Sequence, residues 1–214
     1  MLFGSLNDFE YKLVNDARSE QLYKRGEVIK HEGDKVDSFL YLRKGMVKLF
    51  KTDKRGKEQI LSINKPGDFV NLLTIFSKAN YRYSIEAIGD TLVCDVDLTV
   101  LEHVISSNSG FAMRVLNRMS KISEEIIENR FELGQKQLKG RVATILLYFS
   151  DDIYHKHTFE LPITRREIGE LITMTTENTI RAFSEFKRDG LISIQNRTIA
   201  IRDYERLKTI AKSG

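Results

Sequence analysis

Two side chains near the end of the chain have the types and spacing of a pair that reads DNA bases. Glu177 and Arg181 are four residues apart, so on a helix they share one face and can pair with each other. Against a base pair, a carboxylate accepts from cytosine N4, while a guanidinium donates to guanine O6 and N7. Thr176, one residue earlier, is suited to contact a thymine methyl group or a phosphate. An isolated Glu–Arg pair is more often an ordinary surface ion pair, so its meaning depends on the surrounding elements.

The surrounding residues predict a helix-turn-helix followed by a wing. Thr164 and Glu167 have the spacing of a capping box, which predicts a helix start. Gly190 is placed to end the second helix, and the apolar runs within 191–201 then predict a β-hairpin. A helix-turn-helix presents the start of its second helix to the major groove of DNA. The sequence therefore predicts a winged helix-turn-helix domain over residues 137–214.

Basic and hydroxyl side chains of the same region are predicted to contact DNA phosphates. They are Arg165, Arg166, Thr175, Lys187 and Arg197. Residues 139–214 carry 13 Lys and Arg against 10 Asp and Glu, and the resulting charge of +3 (13 − 10) suits phosphate contact. Double-stranded DNA is therefore the predicted partner.

Residues 26–97 alternate short apolar runs with turn residues, which is the pattern of an all-β unit. Runs such as Ser38–Leu42 and Met46–Phe50 are separated by turns that contain glycine, and this favours a sandwich or roll. The Asp53–Gly56 turn between two runs predicts a hairpin. The chain is therefore predicted to be α+β, with an N-terminal β-roll over residues 1–108.

A helical period replaces the strand pattern at residues 109–136. Apolar residues recur every seven positions, with others interleaved three and four residues away. One interpretation is a long helix packed on its own β-unit; the other is a parallel two-helix dimer seam in which Asn129 fixes the register. The narrow apolar stripe between charged flanks favours the dimer. The predicted seam residues are Met119, Ile122, Ile126, Asn129 and Leu133.

The composition narrows the classes of function. With 214 residues, 41% of them hydrophobic and 30% charged, the chain has the composition of a soluble globular protein. It has neither an apolar run of about 18 residues nor a signal-peptide pattern, which predicts a cytoplasmic location without a membrane partner. Its single cysteine, Cys94, can supply neither an internal disulfide nor an iron–sulfur cluster.

Motifs of hydrolases and nucleotide-dependent enzymes are missing, so the chain is predicted not to be an enzyme. The acidic and histidine residues of 151–157 are interpreted as a solvated loop rather than a metal site.

Together these patterns resemble the Crp–Fnr superfamily of bacterial transcription regulators over nearly all of the chain. The resemblance is carried by Lys24–Glu27, His31–Asp34, Leu42–Val47, Pro66–Phe69, the Gly140-Arg141 step and the Glu177-x-x-x-Arg181 pair. It implies a cupin-like β-roll of the cyclic-nucleotide-binding type, a long dimerisation helix and a C-terminal winged helix-turn-helix. It also implies a homodimer on an inverted repeat, contact with RNA polymerase, and an effector pocket between the β-roll and the long helix.

The resemblance also bears on the effector. Cyclic-AMP-binding members hold the ribose with a Gly-Glu-Leu segment, where this chain has Phe69–Phe76 with Leu72, which cannot accept a hydroxyl hydrogen bond. Tyr83 separates the arginine and serine of the phosphate segment, and two isoleucines replace the residues over the adenine. Cyclic AMP is therefore not the predicted ligand, and the effector is unknown. The predicted pocket residues are Leu72, Leu73, Arg82, Ser84, Ile126 and Ile127.

Two alternatives stay open. A haem-dependent gas sensor of the same family needs an axial ligand near the pocket, and the Phe69–Ser84 segment contains no histidine. The other alternative is a regulatory module whose β-roll binds a ligand and whose C-terminal domain binds protein instead of DNA. DNA affinity that is unaltered by Arg181→Ala would favour this second alternative.

Overall fold

The computed structural model describes residues 2–77 and 80–213, and the chain divides into two compact units. Residues up to Lys51 together with Leu61–Ile127 form the first unit, and Thr52–Ile60 together with Glu128 onward form the second. The side chains of Leu2, Arg130, Leu133 and Ser213 lie outside the described residues. For the predicted seam residue Leu133, the structure therefore gives only the backbone.

The first unit contains a short helix and the strands of a β-roll. Helix α1 (Asp8–Asp16) begins with a capping box between Asn7 and Glu10. The strands are β1 (Arg18–Tyr23), β2 (Val28–Lys30), β3 (Ser38–Lys44), β4 (Val47–Thr52), β5 (Glu58–Asn64), β6 (Ser84–Ala87) and β7 (Thr91–Asp97). They form two sheets, in the orders β1-β7-β3 and β2-β6-β4-β5, and the pairs of β7 and β6 with their neighbours are antiparallel. The predicted β-roll is confirmed.

The turns between these strands follow the glycine pattern of the sequence. Between β3 and β4, Gly45 has φ +80°, and a Cβ atom at this position would collide with the carbonyl oxygen of Asp90. Only glycine fits such a left-handed and crowded position. Between β4 and β5, Asp53 and Lys57 close the turn with a backbone hydrogen bond of 2.9 Å, so the predicted hairpin is confirmed.

Two helices follow the β-roll: α2 (Leu98–Ser107) and α3 (Ser109–Gln135). Phe111 and Val115 of α3 are buried in the core of the first unit, and Met119 and Ile122 pack against that core. Both side chains are half-buried in the single chain, and their place in a dimer seam stays a prediction. Farther along α3, Ile126 is 52% exposed.

The second unit contains the elements of a winged helix-turn-helix, and this prediction is confirmed. They are α4 (Leu138–Leu147), a π-helical segment (Tyr148–Tyr154), β8 (Thr158–Glu160), α5 (Arg165–Leu171), α6 (Thr176–Arg188), β9 (Ile192–Gln195), β10 (Thr198–Ile201) and α7 (Tyr204–Ser213). The strands form one sheet in the order β8-β10-β9. The loop predicted at 151–157 is wrong in part, because helical structure continues to Tyr154 and Asp151 accepts a hydrogen bond of 2.8 Å from the Tyr204 hydroxyl.

No helix in the described part of the chain has the length and hydropathy of a membrane span.

Candidate nucleic-acid interface

The first helix of the motif starts at the predicted capping box. The Thr164 hydroxyl accepts from the Glu167 amide at 3.2 Å, and the Thr164 amide donates to the Glu167 carboxylate at 2.8 Å. These two bonds satisfy backbone donors that a helix start otherwise leaves unpaired. The predicted start of α5 is therefore confirmed.

A tight turn joins α5 to α6 and starts the second helix. The Met174 amide donates to the Gly169 carbonyl at 2.8 Å, and Thr173 in the turn has φ +57°. The hydroxyl of Thr175 then accepts from the Asn178 amide at 3.3 Å and caps α6. Thr175, a predicted phosphate contact, is thus an exposed N-cap at the start of α6.

Helix α6 has one face in the core and the other in solvent. Its buried residues are Thr179, Ala182, Phe183 and Phe186. The predicted base-reading residues Glu177 and Arg181 are exposed, and Thr176 is half-buried at the first turn. At the other end, Gly190 (φ +74°) follows the C-cap Asp189, and the Leu191 amide donates to the Phe186 carbonyl at 2.9 Å. The predicted glycine stop is confirmed, and its hydrogen bonds are those of a Schellman motif.

The two predicted base-reading charges do not pair with each other in the described structure. The Glu177 carboxylate bonds to its own backbone amide and to the Thr175 side chain, and these contacts lower the pKa of Glu177. The Nε atom of Arg181 instead lies 4.0 Å from a carboxylate oxygen of Glu185, one turn later. The interpretation of the two residues as an ordinary surface ion pair with each other is therefore not what the structure shows.

Glu185 in turn connects α6 to α4. One of its carboxylate oxygens lies 2.8 Å from Nζ of Lys139. The pKa of Glu185 is lowered, first by this hydrogen bond and further by the positive charges of Lys139, Arg181 and Arg188. Neither Glu185 nor Lys139 is among the residues that the sequence predicted for this surface. The only local signal was the four-residue spacing between Arg181 and Glu185, and nothing in the sequence relates Lys139 to either.

Arg165 and Lys187, two of the predicted phosphate contacts, line a groove of about 490 Å³ beside the wing. The guanidinium carbon of Arg165 lies 5.5 Å from the centre of the Phe183 ring, a cation–π distance that orients the side chain. The full lining is Arg165, Ile180, Phe183, Ser184, Lys187, Arg188 and Ile194. Among these residues the charged side chains are all basic, so the groove attracts anions.

The other two predicted basic contacts are engaged inside the domain. Arg166 pairs with Glu170 across 2.9 Å, and this bond raises the pKa of Arg166. Arg197 donates to the carbonyl oxygens of Leu161 and Pro162, at 2.8 and 3.3 Å, and so ties the wing to the segment before α5. The structure thus gives both guanidinium groups a role in the fold, and their phosphate contacts stay predictions.

The predicted effector residues all lie in the first unit. Leu72 is 1% exposed and belongs to the hydrophobic core, and its predicted contact with an effector stays a prediction. Leu73 and Arg82 are exposed, and the Ser84 hydroxyl accepts from the Glu32 amide at 3.0 Å. The predicted lid residues Ile126 and Ile127 are 52% and 67% exposed.

The segment around Leu72 is fixed by a buried hydrogen-bond network. The fully buried Asn71 side chain accepts from the Leu40 amide at 2.9 Å. It donates to the Ser38 carbonyl and the Tyr81 hydroxyl, both at 2.7 Å. The hydroxyl groups of Thr74 and Tyr83 bond to each other at 2.7 Å. Because buried polar groups are expensive to leave unpaired, these bonds hold the segment in place.

Comparison with known proteins gives two family matches, one in each half of the chain. The cyclic nucleotide-binding domain model matches residues 20–108, and the Crp-like helix-turn-helix domain model matches residues 140–210. The cAMP-activated global transcriptional regulator CRP of Salmonella typhimurium is 28% identical over 175 residues, covering 80% of this chain and 83% of that protein. The transcriptional activator protein anr of Pseudomonas aeruginosa is 27% identical over 192 residues, covering 88% and 78%. The solved structure of FixK2 from Bradyrhizobium japonicum aligns with a TM-score of 0.83 and 26% identity, covering 92% and 98%.

Proposed function

The chain belongs to the Crp–Fnr superfamily of DNA-binding transcription regulators, and we propose that it acts as a homodimer that reads an inverted repeat through α6. The observation that carries this proposal is the exposed start of α6. There Thr176, Glu177 and Arg181 follow a capped helix and a tight turn. Such a regulator acts where the chromosome is, so the cytoplasm is its proposed location, and RNA polymerase is its proposed protein partner.

The base contacts follow from the chemistry of these side chains. Arg181 donates two hydrogen bonds to guanine O6 and N7, and Glu177 accepts from cytosine N4. Thr176 contacts a thymine methyl group or a phosphate at the edge of the same surface. Arg165 and Lys187, in the basic groove beside the wing, bind the DNA backbone. Thr175, Arg166 and Arg197 complete the proposed phosphate contacts.

The homodimer is proposed to form through the exposed face of α3. On this helix Met113, Leu116 and Ile127 are 55%, 54% and 67% exposed, and they lie opposite the face that packs on the core. Apolar side chains aligned on one side of an exposed helix are typical of a surface that a partner covers. The heptad residues Met119, Ile122, Ile126, Asn129 and Leu133 run along another side of α3, and the seam that they predict is the alternative proposed interface. A two-fold dimer of winged helices matches a DNA site with inverted half-sites.

We propose that cyclic AMP is not the effector. The residues around Leu72 and Tyr83 are packed and hydrogen-bonded to the protein itself, and Leu72 offers no acceptor to a ribose hydroxyl. The proposed effector residues are Leu72, Leu73, Arg82, Ser84, Ile126 and Ile127, and Leu72 contributes from the core. The proposed DNA reader therefore binds its site without added cyclic nucleotide.

Selection of duplexes from a random library by the purified full-length protein tests this function. The expected result is an inverted repeat, with Arg181→Ala weakening binding mainly through one G·C pair of each half-site. Arg206→Ala is the matched control, because Arg206 is an exposed arginine on α7, away from the exposed face of α6. Recovery of no sequence above the salt-sensitive background, or an equal effect of both variants, would contradict the proposal.

A further inference from the structure

We propose that Glu185, held in place by Lys139, is a positioning residue that orients Arg181 toward its base pair. Glu185 would thereby determine how strongly the protein discriminates at one G·C pair of each half-site. The inference rests on the proposed function, since it assigns a role to a residue behind the base-reading arginine. Glu185 itself has no proposed base contact.

The single carboxylate of Glu185 contacts both Lys139 and Arg181. Glu185 bonds to Nζ of Lys139 at 2.8 Å through one oxygen, while its other oxygen lies 4.0 Å from Nε of Arg181. Glu185 is the least exposed of the three, with 24% of its side chain accessible, against 51% for Lys139 and 67% for Arg181. The carboxylate is therefore the fixed point of the cluster, and Arg181 is its solvent-facing end.

Lys139 is needed because α6 alone holds Arg181 weakly. On an isolated helix, an acid–base pair four residues apart contributes little, and the order with the base first is the less favourable one. Lys139 comes from α4 and anchors the carboxylate from outside α6. Its charge also helps to lower the pKa of Glu185, so the carboxylate is ionised wherever DNA binding takes place at neutral pH.

The position of the carboxylate suits the chemistry of base reading. A guanidinium is a planar fork with five N–H donors. Since Nε is the Arg181 nitrogen that lies 4.0 Å from Glu185, the two terminal amino groups stay available for guanine O6 and N7. An arginine that is already oriented loses less side-chain freedom on binding than one that moves freely.

The negative charge of Glu185 is also expected to weaken binding to unrelated DNA. A carboxylate 4.0 Å from Arg181 reduces the attraction of that side chain for a backbone phosphate. Specificity is a difference between affinities, so an element that weakens non-specific binding increases it. Loss of the Glu185 charge is therefore expected to raise affinity for unrelated DNA while lowering discrimination at the G·C pair.

Binding measurements on the full-length Glu185→Gln variant test the proposal. The three duplexes are the selected inverted repeat, the same repeat with the G·C pair read by Arg181 changed to A·T, and an unrelated sequence. We expect the ratio of the first two affinities to fall by about fivefold or more, within the range that one bidentate contact supplies. We expect affinity for the unrelated duplex to stay equal or rise, and the unfolding midpoint to stay within a few degrees, since the pair is partly exposed.

Three further variants separate positioning from a merely structural role. Lys139→Met is expected to lower the ratio of affinities for the selected repeat and the repeat with the changed G·C pair. Lys139→Arg keeps the charge and is expected to retain that ratio. In the double variant Arg181→Ala and Glu185→Gln, the second change is expected to add no further loss at the G·C pair, because both act through one contact. If Glu185→Gln does not fold, Lys139→Met alone tests the proposal, because Lys139 lies in α4 and its replacement leaves the sequence of α6 unchanged.

The outcomes distinguish this proposal from the function on which it rests. If Arg181→Ala abolishes discrimination while Glu185→Gln and Lys139→Met preserve it, the positioning role is wrong and the DNA-reading function stands. If the Glu185→Gln and Lys139→Met variants weaken all three duplexes equally, the cluster is structural and the positioning role is again wrong. If Arg181→Ala itself leaves discrimination unchanged, the proposed base reading fails, and the role of Glu185 fails with it.

Discussion

Gly169 of α5 and Thr179 of α6 approach so closely that a Cβ atom on Gly169 would lie 2.9 Å from Oγ1 of Thr179. The same atom would lie 3.0 Å from the carbonyl oxygen of Met174 in the turn. Thr179 is fully buried, and its hydroxyl donates to the Thr175 carbonyl at 3.0 Å, so it cannot move aside freely. This contact sets how the two helices of the motif cross, and it therefore directs Glu177 and Arg181 outward.

Replacing Gly169 by alanine is expected to destabilise the second unit by about 1–3 kcal/mol, the usual effect of overpacking. Denaturant unfolding followed by circular dichroism measures this change. Gly134→Ala is the matched control, because that glycine is also helical and a Cβ there meets no described atom within 4 Å. The control is expected to be neutral, or to stabilise by up to about 1 kcal/mol. Equal effects of the two variants would show that the helix contact is not tight.

Loss of the cap on α5 is expected to weaken the domain measurably. Thr164→Ala removes the acceptor of the 3.2 Å bond from the Glu167 amide, and an N-cap of this kind contributes about 1 kcal/mol. Thr164→Ser keeps the hydroxyl and is expected to retain most of that stability. Unfolding free energies of both variants check the prediction, and a serine variant as unstable as the alanine variant would contradict it.

Two neighbouring acids on β7 are expected to affect stability with opposite pH dependence. Burial raises the pKa of Asp95, although a bond from the Ser38 hydroxyl at 3.0 Å opposes the rise. A raised folded-state pKa gives stability that is present below the unfolded value and is lost as the pH rises through the folded one. Asp97 is the reverse case, because hydrogen bonds from Thr99 lower its pKa, so its stability is lost as the pH falls.

Unfolding free energies measured between pH 3 and pH 7 check both signs. Relative to Asp95→Asn, the unaltered protein is expected to lose stability as the pH rises from the ordinary value of 3.8. Relative to Asp97→Asn, the unaltered protein is expected to gain stability as the pH rises through the window just below 3.8. The same slope for both comparisons would show that burial does not govern Asp95.

The features that the sequence predicted correctly depend on short stretches of chain. The capping box at Thr164 and the glycine stop at Gly190 follow from local residue types, and the structure contains both. The partner of Arg181 could not be predicted in this way. Glu177 and Glu185 both lie four residues from Arg181, and the contact that holds the Glu185 carboxylate comes from Lys139, which is distant in the sequence.

The predicted dimer seam on α3 also depends on contacts that the local sequence does not define. The heptad spacing correctly predicted a long helix, but periodicity does not say which face packs inward. In the structure, Phe111 and Val115 are buried in the core of the first unit, while Met119 and Ile122 pack against it and stay predicted seam residues. The apolar face left in solvent is therefore offset from the seam that the spacing predicted.

The exposed face of α3 makes a prediction about the oligomeric state. Ile127→Asp places a charge where the proposed dimer would bury an isoleucine that is now 67% exposed, and an unpaired buried charge is strongly unfavourable. We expect this variant to sediment as a monomer and to bind an inverted repeat more weakly, with an unchanged unfolding profile at low protein concentration. Phe9→Asp is the matched control, since Phe9 is an equally exposed apolar residue on α1. A monomeric Ile126→Asp beside a dimeric Ile127→Asp would favour the seam predicted from the heptad spacing, and two dimeric variants would exclude this face of α3 as the interface.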